Sequence, residues 1–315
     1  MLSKIEQDSH IAFIFPGQGS QFPGMGKQIY DNSKAARAVF DLADDSLKFK
    51  LSSLCFEGPD DELRLTYNAQ PAIFTVSVAC LRAMQEIKGD RISSLPQFVA
   101  GHSLGEYTAL VASGAMEFSS AIRLVRERAR LMQDAAVMRP GSMAAIIGQQ
   151  EQITEEICQE TGTEIANVNS SEQIVISGDK DRIAQAVDLA RRRGAKRVIL
   201  LDVSGAFHSA LMEPAITGMR RAVNTTRILD PQIPVIANTT ATPITSAEDV
   251  RSELVGQICQ TVRWHRSVSY MINAGVSTFV EIGPGNVLTG LVKRIDGKVA
   301  AINVTDVPSV ESLPV

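Results

Sequence analysis

The stretch MAAIIGQQEQITEEICQETGTEIANVNSSEQIVISGDKDRIAQAVDLARRRGAKRVILLDV (143–203) carries the clearest structural pattern in the sequence. Four short β-rich runs alternate with two amphipathic segments, ITEEICQETG (153–162) and DRIAQAVDLARRRG (181–194). The resulting order, β-α-β-β-α-β, is the ferredoxin-like arrangement. We therefore expect residues 139–204 to form a small domain of this kind.

On both sides of this stretch the pattern is that of an α/β fold. Alternation of short strands with helices is typical of a parallel sheet flanked by helices. The expected large α/β domain comprises residues 1–138 and 205–315, with the small domain inserted between its two halves. The final segment TDVPSVESLPV (305–315) lacks periodicity, so it is predicted to be a loose tail. The predicted strands of the large domain are IAFIF (11–15), QFVAG (97–101), PVIAN (234–238), TFVEIG (278–283) and AAINV (300–304).

The composition of the 315-residue chain is that of an ordinary globular protein, 44% hydrophobic and 21% charged, with a net charge of −4. Such a charge creates no field that would draw the chain to nucleic acid or to an anionic membrane, so neither is expected as a partner. The four cysteines and four histidines show no metal-ligand spacing, and we expect no metal. The apolar run in MLSKIEQDSHIAFIF (1–15) is too short for a signal-peptide core, which predicts a cytoplasmic protein.

A candidate nucleophile, Ser103, follows the predicted strand QFVAG (97–101). The sequence GHSLG (101–105) fits the G-x-S-x-G pattern at a strand-to-helix turn, where small residues on both flanks let the serine hydroxyl project. Ser103 also lies at a helix N-terminus, where an amide and the helix dipole can stabilise negative charge. The alternative is that Ser103 only caps this helix.

A second candidate, Arg128, lies in the apolar stripe of the predicted helix SSAIRLVRERARLMQDAAV (119–137). The other arginines of this helix, Arg123, Arg126 and Arg130, are expected to point to the opposite side, into solvent. A guanidinium that faces inward keeps its charge and needs an anionic partner, and its forked donors suit a carboxylate. Two partners remain open at this point: an acidic residue of the chain, or a carboxylate of the substrate.

A serine nucleophile needs a base, and histidine is the usual one. His10 precedes the first strand, His102 should point away from the turn that it shares with Ser103, and His265 lies in a helical pattern. His208 follows a predicted strand in the small-residue loop SGAFHSA (204–210), where a strand end can present a catalytic group. A structural role for His208 stays open on the pattern alone.

The loop FPGQGSQFPGMG (15–26) is rich in glycine but does not match a phosphate-binding loop. Neither the dinucleotide pattern nor the P-loop pattern fits, because Phe22, Gln21 and Gln28 occupy the positions that require other residues. Such a loop can instead present backbone N–H groups to an active site.

Taken in order along the chain, six segments resemble the malonyl-CoA:acyl carrier protein transacylase family. The resemblance covers nearly the whole sequence and implies an α/β-hydrolase-like large domain with a ferredoxin-like insert. It also implies that the protein transfers malonyl from malonyl-CoA to acyl carrier protein and thereby supplies fatty acid synthesis. Malonyl-CoA is then a substrate, and no cofactor is expected. The segments are FPGQGSQ (15–21), GHSLGEY (101–107), the helix of Arg128, NVNS (167–170), AFHSALM (206–212) and EIGPGNVLTGL (281–291).

The resemblance assigns roles to particular residues. It implies Ser103 as the nucleophile, His208 as the general base and Arg128 as the clamp on the malonyl carboxylate. The backbone N–H groups of Gln18 and Leu104 would form an oxyanion hole.

Three further residues receive roles from the same resemblance. The main-chain carbonyl of Gln257 would orient the histidine, and Asn169 would lie close to the catalytic pair as a substrate-binding residue. Phe207 would crowd a methyl branch on the acyl group, which favours malonyl over methylmalonyl.

Several points stay open from sequence. A serine thioesterase or esterase shares this machinery, a free-standing polyketide loader shares the reaction, and a non-catalytic binding module could keep the fold. We expect a monomer. The basic segments Arg191–Arg193, Lys196–Arg197 and Lys293–Arg294 could attract an acidic carrier protein, although a solvated helix end is the simpler interpretation.

Overall fold

The computed structural model describes residues 10–89, 92 and 96–314. The start of the predicted N-terminal segment, residues 1–9, lies outside the described residues. The strands in the described part are β1 (His10–Phe15), β2 (Pro96–Gly101), β3 (Ser142–Ile147), β4 (Glu164–Ser170), β5 (Gln173–Gly178), β6 (Arg197–Leu200), β7 (Val235–Ile236), β8 (Pro243–Ile244), β9 (Val276–Ile282) and β10 (Ala300–Val304).

Six of these strands form a mostly parallel sheet in the order β10-β9-β1-β2-β7-β8. Only the β7–β8 pair is antiparallel in this sheet. Residues 11–15 of β1, at the centre of the sheet, are all buried, because helices cover both faces of a parallel sheet. The predicted α/β fold class is confirmed.

The other four strands form a separate antiparallel sheet in the order β4-β5-β3-β6. With the two helices that connect them, the chain order is β-α-β-β-α-β, as expected from the sequence. Strand β6 ends at Leu200, earlier than the predicted run, which extended to residue 203. The elements of this unit lie within residues 142–200, and the division into domains at 139 and 204 stays a prediction.

Helices surround both sheets. The longest helix, α5 (Thr66–Lys88), has sixteen buried residues and packs against α2 (Lys34–Leu47) and α7 (Phe118–Met138). The helices in the described part are α1 (Lys27–Asn32), α2 (Lys34–Leu47), α3 (Leu51–Glu57), α4 (Asp60–Arg64), α5 (Thr66–Lys88), α6 (Gly105–Ala112), α7 (Phe118–Met138), α8 (Glu151–Thr161), α9 (Lys180–Arg192), α10 (Ile216–Thr225), α11 (Ala247–Gly256), α12 (Trp264–Asn273), α13 (Val287–Ile295) and α14 (Val307–Glu311).

Two sequence-based expectations about chain ends and helix ends are wrong. Residues 307–311 form α14 instead of a loose tail, because Asp306 and Ser309 make a capping box and Val310 is fully buried. Helix α7 begins at Phe118, one residue before the predicted start at residue 119, and Glu117 is its N-cap residue. A five-residue helix is too short to show periodicity, and tertiary packing stabilises it.

Within the described ranges, we find no helix with the length and apolar character needed to cross a lipid bilayer.

Candidate active site

Ser103 lies in a sharp turn between β2 and α6, with a φ angle of 50°. The turn requires glycine on both sides. A Cβ atom on Gly101 would lie 1.9 Å from the carbonyl carbon of Gly105, and one on Gly105 would lie 2.0 Å from the backbone oxygen of Phe15. The close contact between β1, β2 and α6 therefore depends on these glycines, and it places the Ser103 hydroxyl at the end of the sheet.

His208 contacts this hydroxyl directly. Its Nε2 lies 2.8 Å from Ser103 Oγ, and its Nδ1 lies 2.8 Å from the backbone oxygen of Gln257. A carbonyl oxygen only accepts hydrogen bonds, so Nδ1 carries the proton and Nε2 is free to accept one from Ser103. Burial, followed by the charge of Arg128, lowers the pKa of His208 to about 3. The imidazole is therefore neutral at pH 7.

Arg128 is buried, with 1% of its surface exposed, and faces the same hydroxyl. Its Nη2 donates to Ser103 Oγ (3.0 Å) and to Gln257 Oε1 (2.8 Å), and its Nη1 donates to Gln70 Oε1 (2.7 Å). Within residues 10–89, 92 and 96–314, no carboxylate lies in ion-pair contact with this guanidinium, and its Nε–H has no acceptor. The hydrogen-bond partners of Arg128 are thus neutral.

The backbone N–H groups of Gln18 and Leu104 are free to bind a ligand. Neither has a hydrogen-bond acceptor in the part of the chain that the structure describes. Both residues line the same cavity as Ser103. Two free donors beside a nucleophile can stabilise an oxyanion.

The cavity at Ser103 has a volume of about 360 Å³. Phe207 and Met132 supply apolar surface, while Arg128 and His208 supply polar groups. Asn169 does not line this cavity. Instead its Oδ1 lies 2.8 Å from Nε2 of His102, and Asn167, two residues earlier on β4, reaches the cavity.

The remaining histidines make other contacts. His102 lines the same cavity as Ser103, but its Nε2 lies 2.8 Å from Asn169 Oδ1 and its ring contacts that of Trp264. His10 bonds to Gln97, and His265 lies on α12. Among the described residues there is no cluster of His, Cys, Asp or Glu suited to a metal ion.

Sequence analysis missed three polar residues of this site, Gln70, Glu106 and Asn238. Gln70 is an acceptor for Arg128, and Asn238 Oδ1 accepts from the Ser103 backbone N–H (2.7 Å). Glu106 is fully buried, and burial together with the charge of Glu253 raises its pKa. One signal was available: Glu106 is the only charged residue in the otherwise apolar α6.

Arg126 also differs from expectation. It was predicted to point into solvent, but it is only partly exposed and lies over the ring of Tyr67, 3.0 Å from the centroid. A guanidinium stacks readily on aromatic faces, which explains the difference.

Comparison with known proteins gives consistent matches over nearly the whole chain. Residues 12–314 match the acyl transferase domain family. A malonyl CoA-acyl carrier protein transacylase of Bacillus subtilis (strain 168) is 46% identical over 308 residues, which cover 96% of this chain and 96% of that protein.

Solved structures give the same result. An acyl-carrier-protein-S-malonyltransferase from Bartonella henselae superposes with a TM-score of 0.93 at 45% identity, covering 96% of this chain and 98% of that one. A malonyl-transacylase in complex with its type II PKS acyl-carrier protein superposes with a TM-score of 0.92 at 39% identity, with coverages of 96% and 98%.

Proposed function

This chain belongs to the family of malonyl CoA-acyl carrier protein transacylases, and from that premise we propose that it transfers malonyl from malonyl-CoA to the phosphopantetheine thiol of an acyl carrier protein, supplying fatty acid synthesis. The intermediate is a malonyl ester on Ser103. One observation supports this most strongly: Ser103 Oγ lies 2.8 Å from His208 Nε2 and 3.0 Å from the buried guanidinium of Arg128.

Acylation begins with His208 as the base. Nε2 of the neutral imidazole takes the Ser103 proton as Oγ attacks the malonyl thioester carbon. The N–H groups of Gln18 and Leu104 hold the resulting oxyanion, and each such donor is typically worth about 10²–10³ in rate. The carbon–sulfur bond then breaks, His208 returns the proton to the sulfur, and coenzyme A leaves.

Arg128 selects the acyl group. The hydrogen-bond acceptors of Arg128 are neutral, so its positive charge is not paired with a carboxylate of the protein. The free carboxylate of the malonyl group can form that ion pair inside the cavity. A bidentate guanidinium–carboxylate pair fixes orientation as well as charge. Of the two partners left open from sequence, the arrangement favours the substrate carboxylate. Phe207, which lines the cavity beside His208, limits the room for a branched acyl group.

The second half-reaction reverses the first. The thiol of the carrier protein loses its proton to His208 and attacks the ester, which frees Ser103 in a ping-pong cycle. Because the chain itself provides nucleophile, base, oxyanion donors and cation, the proposed chemistry requires no cofactor or metal. Coenzyme A enters only as part of the substrate.

We further propose a cytoplasmic monomer without nucleic acid or membrane partners. The net charge of −4 and four free cysteines fit a reducing compartment and an absence of polyanionic partners. The basic segment 191–193 is paired locally, since Arg193 contacts Glu156 and Glu160. This pairing favours its interpretation as a solvated helix end over a docking site for the carrier protein.

The test is to incubate the protein with malonyl-CoA alone and to measure intact mass, followed by peptide mapping. We expect one malonyl group on Ser103 and one equivalent of coenzyme A released. Ser103→Ala should give no adduct, whereas the matched control Ser113→Ala, at the other end of α6, should keep it. Subsequent addition of a phosphopantetheine-loaded carrier protein should remove the adduct.

The same experiment separates the competing functions. Steady release of coenzyme A without an adduct would identify a thioesterase, and neither release nor adduct would identify a binding module. Comparing carrier proteins of fatty acid and polyketide synthesis distinguishes the two pathways that share this reaction.

A further inference from the structure

Glu106 is a buried carboxylate that the proposed reaction does not use. It occupies the first turn of α6, three residues after Ser103, and only 1% of its surface is exposed. Among charged residues, such complete burial requires partners, because an unpaired carboxylate loses its hydration. Its partners therefore indicate what it does.

Every hydrogen-bond partner of the Glu106 carboxylate is a donor. Oε1 accepts from the backbone N–H of Asn238 (2.8 Å) and from its Nδ2 (3.0 Å), and Oε2 accepts a short hydrogen bond from Nε2 of Gln257. A side-chain amide has one donor end and one acceptor end. By taking the donor end of both amides, Glu106 fixes the direction in which their oxygen atoms point.

The first amide, Asn238, holds the nucleophile. Its Nδ2 donates to Glu106 and to the backbone oxygen of Gly101 (2.7 Å), which leaves Oδ1 to accept from the Ser103 N–H (2.7 Å). Ser103 has a positive φ angle, which is uncommon for a residue other than glycine. The Asn238 contact is one of the bonds that hold the backbone in this conformation.

The second amide, Gln257, holds the other two reacting groups. Its Oε1 accepts from Nη2 of Arg128 (2.8 Å), and its backbone oxygen accepts from Nδ1 of His208 (2.8 Å). Its Nε2 also donates to the backbone oxygen of Ser103 (3.0 Å). A reversed amide would turn its NH₂ group toward the guanidinium, where two donors would face each other.

We propose that Glu106 is a positioning residue of the acyl transfer reaction. It orients the side-chain amides of Asn238 and Gln257, and these amides in turn hold Ser103 and Arg128 in the orientation that the substrate requires. The inference rests on the proposed function, because the role of Arg128 in holding the malonyl carboxylate is part of it. Glu106 itself touches neither the cavity nor the reacting atoms.

Glu106→Gln tests this role with little change in shape. The introduced amide keeps its oxygen toward the two donors of Asn238, so its NH₂ faces Gln257. The Gln257 amide then turns its oxygen toward residue 106 and its NH₂ toward Arg128. The charged guanidinium of Arg128 thereby loses one of its hydrogen-bond acceptors. We expect the preference for malonyl-CoA over acetyl-CoA, measured as the ratio of Ser103 acylation rates, to fall about tenfold. Arg128→Ala, which removes the guanidinium itself, should shift the same ratio in the same direction.

The ratio distinguishes positioning from a general structural role. Glu281→Gln is a matched control, since Glu281 is also fully buried, accepts from two backbone N–H groups, those of Leu288 (3.0 Å) and Thr289 (2.7 Å), and does not line the cavity at Ser103. It should lower the melting temperature while the acyl preference stays that of the unmodified protein. If Glu106→Gln slows both acylations equally and keeps the ratio, the proposal is overturned.

Two further measurements keep the result unambiguous. If Glu106→Gln does not fold, Glu106→Asp serves the same test, because it keeps the carboxyl group but is too short to reach both amides, and its ratio should fall as well. The unmodified protein is assayed beside each variant. Absence of a malonyl adduct in the unmodified protein refutes the proposed function, whereas an adduct with an unchanged ratio in the variant refutes only the role of Glu106.

Discussion

In the proposed mechanism, His208 works with a backbone carbonyl in the place where a serine protease has a carboxylate. The oxygen of Gln257 fixes the tautomer but carries no charge, so it does little to stabilise an imidazolium. Burial and the neighbouring Arg128 both favour the neutral ring, which lowers the pKa of His208 to about 3. The base is therefore ready to accept a proton over the whole neutral and mildly acidic range.

This environment predicts an unusual pH profile for the acylation step. The acid limb of kcat/KM reports the pKa of the base in the free enzyme, and the neutral form of His208 is the active one. Because its pKa lies below the ordinary 6.5, kcat/KM for malonyl-CoA should stay flat from pH 7 to pH 5. A histidine with an ordinary pKa would lose about 25-fold over this range.

Rapid-quench acylation of Ser103 between pH 5 and pH 8 measures this profile. Circular dichroism at each pH is the control that the protein stays folded. An inflection near pH 6.5 in the folded protein would show that the prediction is wrong.

At the scale of elements, the site depends on how closely β1, β2 and α6 approach one another. The end of β1 lies against the first turn of α6, with the Ser103 turn beside them. Gly105 lies where the backbone of β1 leaves no room for a Cβ atom. The nucleophile is thus positioned by backbone packing as well as by side-chain hydrogen bonds.

Gly105→Ala should therefore destabilise the protein and stop acylation. Its Cβ would lie 2.0 Å from the backbone oxygen of Phe15, so β1 and α6 would have to separate and Ser103 would move. Gly290→Ala is the matched control, because Gly290 lies in α13, where the new Cβ would meet nothing within 4 Å apart from its own helix. There we expect stabilisation by about 0.5–1 kcal/mol, since alanine favours a helix over glycine.

The melting temperature and the intact-mass acylation assay report these two effects separately. Normal acylation by a stable Gly105→Ala protein would show that the close contact between β1 and α6 is not needed to position Ser103.

At the scale of the whole molecule, the antiparallel sheet is packed into the rest of the protein. One face contributes Met143, Ala145, Ala166 and Val175 to the same core as the large sheet, while α8 and α9 cover the other face. Two backbone hydrogen bonds also join β4 to Val262 of the large unit, Val168 N to Val262 O (2.9 Å) and Val262 N to Ala166 O (2.8 Å). Unfolding of the antiparallel sheet alone would expose this shared core and break these two hydrogen bonds.

We therefore predict a single cooperative thermal transition for the molecule. Calorimetric and van't Hoff enthalpies should agree within error. Ile183→Ala, in the apolar cluster beneath α8 and α9, should lower the temperature of that one transition. A separate early transition in this variant would show that residues 139–204 unfold independently.

The sequence by itself determined the α/β fold class, the β-α-β-β-α-β order of the ferredoxin-like unit, the turn of Ser103 and the inward direction of Arg128. These features depend on periodicity and turn chemistry, which act between residues only a few positions apart. The same local signals failed for α14, where burial of Val310 and a capping box outweigh a sequence without periodicity.

Residue patterns alone left open which of four histidines meets Ser103, and the family resemblance implied His208. Only the tertiary structure brings His208 to Ser103 and decides which groups surround Arg128. His208 lies 105 positions from Ser103, and Gln70 and Gln257 lie 58 and 129 positions from Arg128. Hydrogen bonds between such distant residues produce no periodic pattern in the sequence, because the packing of whole helices and strands determines which residues come together. For the same reason the amides that Glu106 orients could not be predicted from the sequence of α6.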